Sequence, residues 1–218
     1  MTFSSTDMSF SCTLLVLILT LRALVWSQST WDTSPTTVAT IQSSAGNFGS
    51  SISMTNDFMV VGASSSGQAM IYTRDKATNV WTTDNPTNTI TSPDSAEKFG
   101  TSVGISDAYL IVGAPGQLKA YLFRYDTTAK SWGNSALSTT DALVCFCGYS
   151  GQARFGQSVA MAPTGDYAIV GAPTAKKAYV FAKSKSDSTW SSVAQSELVY
   201  TDTTSFGTSV DITANYAI

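Results

Sequence analysis

Cys145 and Cys147 are the first residues whose chemistry and spacing suggest a site, because only one residue separates them. Thiolates bind metal ions and exchange disulfides. A structural zinc site needs about four ligands, so this pair alone cannot form one. In an extended segment both side chains would share one face, with their Cα atoms near the upper limit for a disulfide. A strained local disulfide, a bridge to a portion of the protein beyond this sequence, free thiols and an insertion without a role are all open at this point.

Acid–base and nucleophilic chemistry are limited by the absence of histidine from the chain. This absence excludes histidine general bases, Ser-His and Cys-His pairs, and histidine-ligated zinc or haem. Ser102 has the flanking glycines of a nucleophile elbow, but no histidine can activate it. The same serine also recurs without the second glycine, as Ser51, Ser158 and Ser209. We therefore predict that the chain is not an enzyme.

Phosphate and nucleic-acid binding are also poorly supported. Residues 62–69 have the glycine spacing of a phosphate loop but lack its lysine and the Ser/Thr that holds magnesium. The chain has 12 Lys and Arg against 15 Asp and Glu, a net charge of −3. Nucleic-acid binding normally needs a basic surface, so we predict no nucleic-acid partner.

A unit of about fifty residues recurs along the chain. Each copy opens with Phe-Gly-x-Ser, continues with an aromatic residue that begins a run ending in Val-Gly-Ala, and then has a run such as Ala-Tyr-Val-Phe. A tryptophan marks its last part. The Phe-Gly pairs are Phe48-Gly49, Phe99-Gly100, Phe155-Gly156 and Phe206-Gly207, and the tryptophans are Trp31, Trp81, Trp132 and Trp190.

The unit contains four short segments rich in β-branched and aromatic residues, separated by Gly, Asp, Asn, Ser or Pro. We label them A (Phe-Gly-x-Ser), B (ending Val-Gly-Ala), C (Ala-Tyr-Val-Phe) and D (the tryptophan segment). Four antiparallel strands in a repeat of this length predict an all-β fold, a β-propeller of four-stranded blades. The glycine that ends segment B suits a close approach of backbones near the propeller axis. Asp75, Asp126 and Asp187 are predicted to cap the turn between C and D.

The ordered recurrence of Phe-Gly and Val-Gly-Ala-Pro resembles the FG-GAP repeat of integrin α-chain N-terminal propellers and related extracellular proteins. The resemblance covers residues 30–218, with repeats that start near residues 48, 99, 155 and 206. It implies a propeller domain over 28–218, exposed at the cell surface or secreted.

Integrin-like blades often carry a calcium loop between A and B, with alternating acidic residues. The equivalent segments here are short and supply one carboxylate at most, as in Thr55-Asn56-Asp57 and Ser106-Asp107. This departure from the family pattern predicts no calcium ion and no other cofactor.

The sequence contains about three and a half blades. An N-terminal orphan strand, predicted over 30–42, precedes the first complete unit, and the sequence stops inside segment B of the fourth copy. A closed propeller needs about four blades or more. We therefore expect further repeats beyond this fragment, with a four-bladed ring as the alternative.

Residues 12–26 are mainly apolar and carry one charge, Arg22, which predicts a secretory signal peptide over residues 1–27. The leading region lacks the usual positive charge and carries Asp7, so an uncleaved anchor or a buried helix is the alternative. Membrane attachment through a segment beyond this sequence is a further possibility for a surface protein.

The resemblance implies a non-catalytic extracellular recognition or adhesion module that binds a protein or glycan through one loop face. The alternatives are an accessory propeller of a larger secreted or membrane-bound hydrolase, and a structural surface protein. In integrin propellers ligands meet the D–A and B–C loops. Here those are residues 43–47, 91–98, 139–154 and 201–205, with 64–68, 115–118 and 173–177. The longest of these loops contains the candidate binding residues Cys145, Phe146, Cys147 and Tyr149.

Overall fold

The computed structural model describes residues 40–93, 95, 97–133, 142–144, 154–186, 189–201 and 205–218. The predicted signal peptide and residues 30–39 of the predicted orphan strand lie outside this part of the chain, and residues 40–42 are not in a strand. The four candidate binding residues Cys145, Phe146, Cys147 and Tyr149 also lie outside it.

Each complete repeat forms one antiparallel sheet, with four strands in the first and third repeats and five in the second, and a short hairpin follows the third. The first sheet has the order β1 (Phe48–Met54), β2 (Phe58–Ala63), β3 (Gln68–Thr73), β4 (Asn88–Thr91). The second has β5 (Ser102–Ile105), β6 (Tyr109–Ala114), β7 (Lys119–Asp126) and β8 (Ser131–Trp132), with β9 (Ala142–Val144) also paired to β7. The third has β10 (Ser158–Met161), β11 (Tyr167–Ala172), β12 (Lys177–Ala182), β13 (Ser196–Val199).

The strand ladders stay within the repeat units, and segment A strands of neighbouring units contact each other: β1 contacts β5, and β5 contacts β10. Only a one-turn 3-10 helix, Pro173–Ala175, interrupts the described strands. Ile212 bridges Ala217 in the terminal hairpin, which corresponds to segments A and B of the fourth copy. This arrangement confirms the predicted all-β fold and partial β-propeller.

The hydrophobic core lies between the sheets. All six residues of β6 are buried, because the middle sheet is covered on both faces. Leu110 and Val112 pack in the cluster shared with the first sheet, whereas Tyr109 and Ile111 pack in the cluster shared with the third. Alternate residues of one strand thus fill two different cores. Burying a side chain of this size stabilises the fold by about 1.5–3 kcal/mol.

The Phe-Gly pair forms the centre of a tight turn at the start of segment A. In the second repeat the Thr101 N–H donates to the Lys98 carbonyl at 3.2 Å, and Gly100 has φ +89°. These are features of a type II turn, which requires a positive φ at its third residue and therefore favours glycine there. Phe99, fully buried, packs on Tyr121 and Phe123 of segment C, with ring centroids 5.6 and 6.1 Å apart.

A second glycine and a serine join each sheet to the next. Gly113 ends segment B, and a Cβ added there would overlap the Gly156 carbonyl of the following repeat. Ser102 Oγ donates to that same carbonyl at 2.9 Å. The equivalent serines, Ser51 and Ser158, donate to Gly100 at 3.3 Å and to Gly207 at 2.8 Å. The close approach predicted for the segment B glycine is therefore present at each described boundary.

Segment D differs from the single tryptophan strand that the sequence suggests. Trp81 and Trp190 form isolated bridges with Arg74 and Lys183 near the end of segment C. The longer ladders of β4, β9 and β13 form further along, opposite the start of segment C. In the first repeat, Pro86 lies between the two pieces and has no N–H to donate, so the ladder is interrupted there.

Candidate functional site

The D–A and B–C loops come together at one end of the sheets and surround an open cleft of about 1030 Å³. The first two repeats supply most of its lining, through Asn47, Ser64–Gly67, Thr91, Ser92, Ser95, Glu97, Lys98, Thr101, Pro115 and Gly116. Arg154 and Gln157, at the start of the third repeat, complete it. The cleft volume is at the upper end of the range for small-ligand sites.

A smaller cleft of about 450 Å³ continues along the same end of the molecule. Arg154 and Gln157 line both clefts, so they form the ridge between them. The other side of the second cleft contains Pro173, Thr174, Lys176, Ser205 and Thr208. Equivalent loops from successive repeats therefore form one continuous polar surface, which we call the loop face.

The rim of the larger cleft is held together by contacts between the two kinds of loop. The Gly46 N–H donates to Ser66 Oγ at 2.6 Å, and the Ser65 N–H donates to the Gly46 carbonyl at 3.2 Å. Gly116 packs so tightly on Glu97 that an added Cβ would lie 2.7 Å from the Glu97 carbonyl oxygen. Such contacts fix the loop backbones before a ligand arrives, which reduces the entropy cost of binding.

One repeated position of the loop face could not be identified from the motif alone. The residue immediately before each Phe-Gly pair is Asn47, Lys98 or Arg154 in the three complete repeats, and each is exposed at the larger cleft. This position lies outside the recurring Phe-Gly-x-Ser motif because its residue type varies. The signal for it in the sequence is that the residue is polar in every copy.

The opposite end of the sheets carries the A–B and C–D turns. Thr55 Oγ1 accepts the N–H groups of Asp57 and Phe58, both at 3.2 Å, and so closes the first A–B turn. Asp57 pairs with Lys76 at 2.7 Å, and its counterpart Asp166 pairs with Lys183 at 2.9 Å. Within the described residues, no three acidic or cysteine side chains converge on a point that could hold a metal ion.

The predicted aspartate caps of the C–D turns are present in two repeats. Asp75 Oδ1 accepts the N–H groups of Thr78 and Ala77 at 3.0 and 2.7 Å, and these bonds hold the pKa of Asp75 below its ordinary value. Asp126 accepts those of Ala129 and Thr128 at 3.0 and 2.8 Å, with the same lowering of its pKa. Asp187 lies outside the described residues.

No family model and no curated protein sequence matches this chain. Solved structures do match, and the three named here do so at low identity. They include a Bacteroides fragilis protein assigned as a 6-phosphogluconolactonase (9% identity, TM-score 0.48, covering 72% of this chain and 44% of that chain). Hydrazine synthase of Kuenenia stuttgartiensis matches with 12% identity, TM-score 0.47 and 84% and 43% coverage. The periplasmic gluconolactonase of Pseudomonas aeruginosa matches with 15% identity, TM-score 0.44 and 65% and 36% coverage.

This chain spans less than half the length of the structures that it matches. The names of these structures bear on one prediction. The lack of histidine and of a catalytic triad led us to predict that the chain is not an enzyme. Proteins named as lactonases are among the structural matches, so the prediction that the chain is not an enzyme is withdrawn. Histidine-dependent mechanisms are only part of enzyme chemistry, so the lack of histidine is no ground for excluding catalysis. Within the described residues, no helix has the length and hydrophobicity needed to cross a membrane.

Proposed function

We propose that this chain is an extracellular recognition module, built from FG-GAP-like blades, that binds a protein or glycan through its loop face. The observation that carries the proposal is the large polar cleft formed by equivalent loops of consecutive repeats. Loops held by a rigid sheet scaffold are the usual location of binding sites. The repeated Phe-Gly turns and the Ser-to-Gly bonds between sheets provide that scaffold.

The location outside the cell and the FG-GAP class are parts of the same proposal. The leader-like segment and the order of the four repeated motifs support them. A chain with only 12% charged residues and no histidine presents mainly hydroxyl and amide groups for recognition. These groups form directional hydrogen bonds with protein backbones and with sugars alike.

The test is to fill the larger cleft without changing its charge. Ser65 is exposed on the cleft rim, so Ser65→Trp would place a large side chain across the opening. Thr127→Trp adds the same side chain in an exposed C–D turn at the other end of the sheets and serves as the control. The two variants and the unmodified chain would be applied to arrays of polysaccharides and extracellular-matrix proteins.

We expect the unmodified chain and Thr127→Trp to retain the same bound spots, and Ser65→Trp to lose them. Equal binding by all three proteins would show that the cleft is not the binding site. If the unmodified chain binds nothing on either array, the result favours a structural surface protein and contradicts the proposal.

A further inference from the structure

The position before Phe-Gly has an unusual backbone conformation in all three complete repeats. Asn47, Lys98 and Arg154 have φ values of +56°, +62° and +48°. This left-handed region is sterically disfavoured for residues that carry a Cβ, and glycine occupies it most easily. Residues held in such conformations concentrate at ligand-binding positions, so the recurrence is a reason to ask what these side chains do.

The fold makes use of the backbone of this position and not of its side chain. The carbonyls of Asn47, Lys98 and Arg154 accept the N–H groups of Ser50, Thr101 and Gln157 at 3.1, 3.2 and 3.0 Å, which closes the three turns. Neither Lys98 nor Arg154 has an ion-pair partner among the described residues, and both are exposed at the cleft. Within the described part of the chain, no carboxylate neutralises these two charges.

The other groups of the larger cleft are mostly hydroxyls and amides. Seven serines and threonines line it together with the amides of Asn47 and Gln157, and its described lining contains no aromatic ring. Its charged groups are the two cations and one carboxylate, Glu97. Hydroxyls and amides suit a ligand with many hydroxyl groups, and the cations suit carboxylate or sulfate.

We propose, on the basis of the function proposed above, that the larger cleft binds an acidic polysaccharide, with Lys98 and Arg154 pairing with its carboxylate or sulfate groups. An acidic peptide is favoured less, because protein interfaces usually depend on buried aromatic and apolar anchors that this cleft lacks. Arg154 is suited to bidentate contact with a planar carboxylate, and Lys98 acts as a point charge.

The experiment uses three polymers with one backbone: dextran, carboxymethyl dextran and dextran sulfate. Binding to the whole chain would be measured at physiological salt, together with binding to polyglutamate as the acidic-peptide probe. The variants are Lys98→Gly and Arg154→Gly, since glycine relieves the left-handed strain and the fold should be retained. Lys130→Gly is the matched control, because Lys130 also has a left-handed backbone (φ +51°) but lies in a C–D turn.

We expect the two anionic dextrans to bind and plain dextran to bind at least ten-fold more weakly. The preference between the two anionic forms would identify the anion. Each glycine substitution at the cleft should weaken binding by about three- to ten-fold, as exposed charge-assisted contacts do. Lys130→Gly should have no effect. Glu97→Gln should strengthen binding by about two-fold, because it removes a repulsive charge.

Several outcomes would overturn the inference. Equal binding of all three dextrans, tighter binding of polyglutamate than of either anionic dextran, or equal losses from Lys130→Gly and Lys98→Gly would each do so. If Ser65→Trp abolishes capture of a protein or neutral glycan while the anionic dextrans never bind, the acidic-polysaccharide inference fails and the recognition function stands. If nothing binds to the cleft at all, both fail.

Discussion

Glycine has two functions in each repeat. Gly49 supplies only the positive φ of its Phe-Gly turn, whereas Gly113 leaves room for the backbone of the next repeat. Gly100 and Gly156 combine the two, because an added Cβ at either would also overlap a backbone carbonyl of the preceding repeat. The two functions respond differently to an added methyl group. A residue with positive φ bears a backbone strain of about 1–2 kcal/mol. A Cβ that overlaps a neighbouring backbone must displace a whole sheet.

Gly113→Ala should therefore be strongly destabilising, by about 3 kcal/mol or more, because its Cβ would overlap the Gly156 carbonyl. Gly49→Ala is the matched control: its φ is +86°, but an added Cβ would meet no atom within 4 Å. It should cost only about 1 kcal/mol. Urea unfolding followed by tryptophan fluorescence would measure both. Equal losses of stability would refute the proposed difference between the two glycines.

The carboxylate of Asp126 makes a contribution to stability that depends on pH. Its hydrogen bonds from Ala129 and Thr128 hold its pKa below the ordinary value, so the folded state favours the charged form. The contribution is complete above the unfolded pKa of about 3.9 and is lost as pH falls through the lower folded value.

We predict that the difference in unfolding free energy between the unmodified chain and Asp126→Ala is constant from neutral pH to about pH 4 and shrinks at lower pH. Asp107→Ala is the control, because no main-chain N–H bonds to that exposed side chain in the described structure. Thermal unfolding at a series of pH values would measure the difference. A gap for Asp126→Ala that persists undiminished to about pH 2 would contradict the assignment.

At the residue scale, the repeat pattern and the chemistry of turn residues predicted many of these features from the sequence. The Asp75 and Asp126 caps and the close approach at Gly113 are present as predicted. The left-handed conformation of Lys98 and Arg154 was not predictable, because lysine and arginine have no preference for it. Their conformation results from the turn that the following Phe-Gly pair imposes.

At the scale of elements, Trp132 and Trp190 connect neighbouring sheets, and Trp132 also packs on Tyr125 of its own sheet, with ring centroids 5.2 Å apart. The Trp132 ring meets Phe58 of the preceding repeat edge-on, with centroids 5.4 Å apart. The Trp190 ring meets Tyr109 in the same way at 5.6 Å. Trp132 and Trp190 thus each cover the aromatic residue that opens segment B of the repeat before it. The sequence could not show this, because the partners are in different units and more than seventy residues apart.

Trp132→Ala should cost about 3–5 kcal/mol, the usual range for removing a large aromatic from a core. Trp81 is the matched control, since it is only partly buried and no aromatic residue of a preceding repeat packs on it among the described residues. Trp81→Ala should cost about 1 kcal/mol. Differential scanning calorimetry of both variants would test the comparison. Similar losses would mean that each tryptophan acts within its own sheet.

At the scale of the whole molecule, the first and middle sheets differ in what covers them. Val103 and Ile105 of β5 are 6% and 5% exposed, because the first sheet packs on them. Their equivalents in β1, Ile52 and Met54, are 61% and 58% exposed. The same strand position is therefore a core residue in one repeat and a surface residue in another. This difference follows from position in the array and not from residue type.

We predict that Ile52→Ser with Met54→Ser changes the stability of this chain by less than about 0.5 kcal/mol, as exposed substitutions usually do. Val103→Ser with Ile105→Ser, the matched pair in the middle sheet, should cost about 3 kcal/mol or more. Chemical unfolding would compare the two pairs. A large loss from the first pair would show that Ile52 and Met54 are buried in solution.

The residues of the Phe-Gly turn have separate roles, and this separation affects how the sequence of such a protein can change. Phenylalanine packs on segment C of its own repeat, and glycine and serine contact the neighbouring repeat. Among the described residues, the side chain of the residue before them makes no hydrogen bond or ion pair. Changing a single codon in a repeat would therefore exchange one side chain of the loop face and leave the architecture as it is. Duplicating or shuffling a whole repeat would carry its loop-face side chain along, so recombination alone would produce new combinations of cation, amide and hydroxyl on that face.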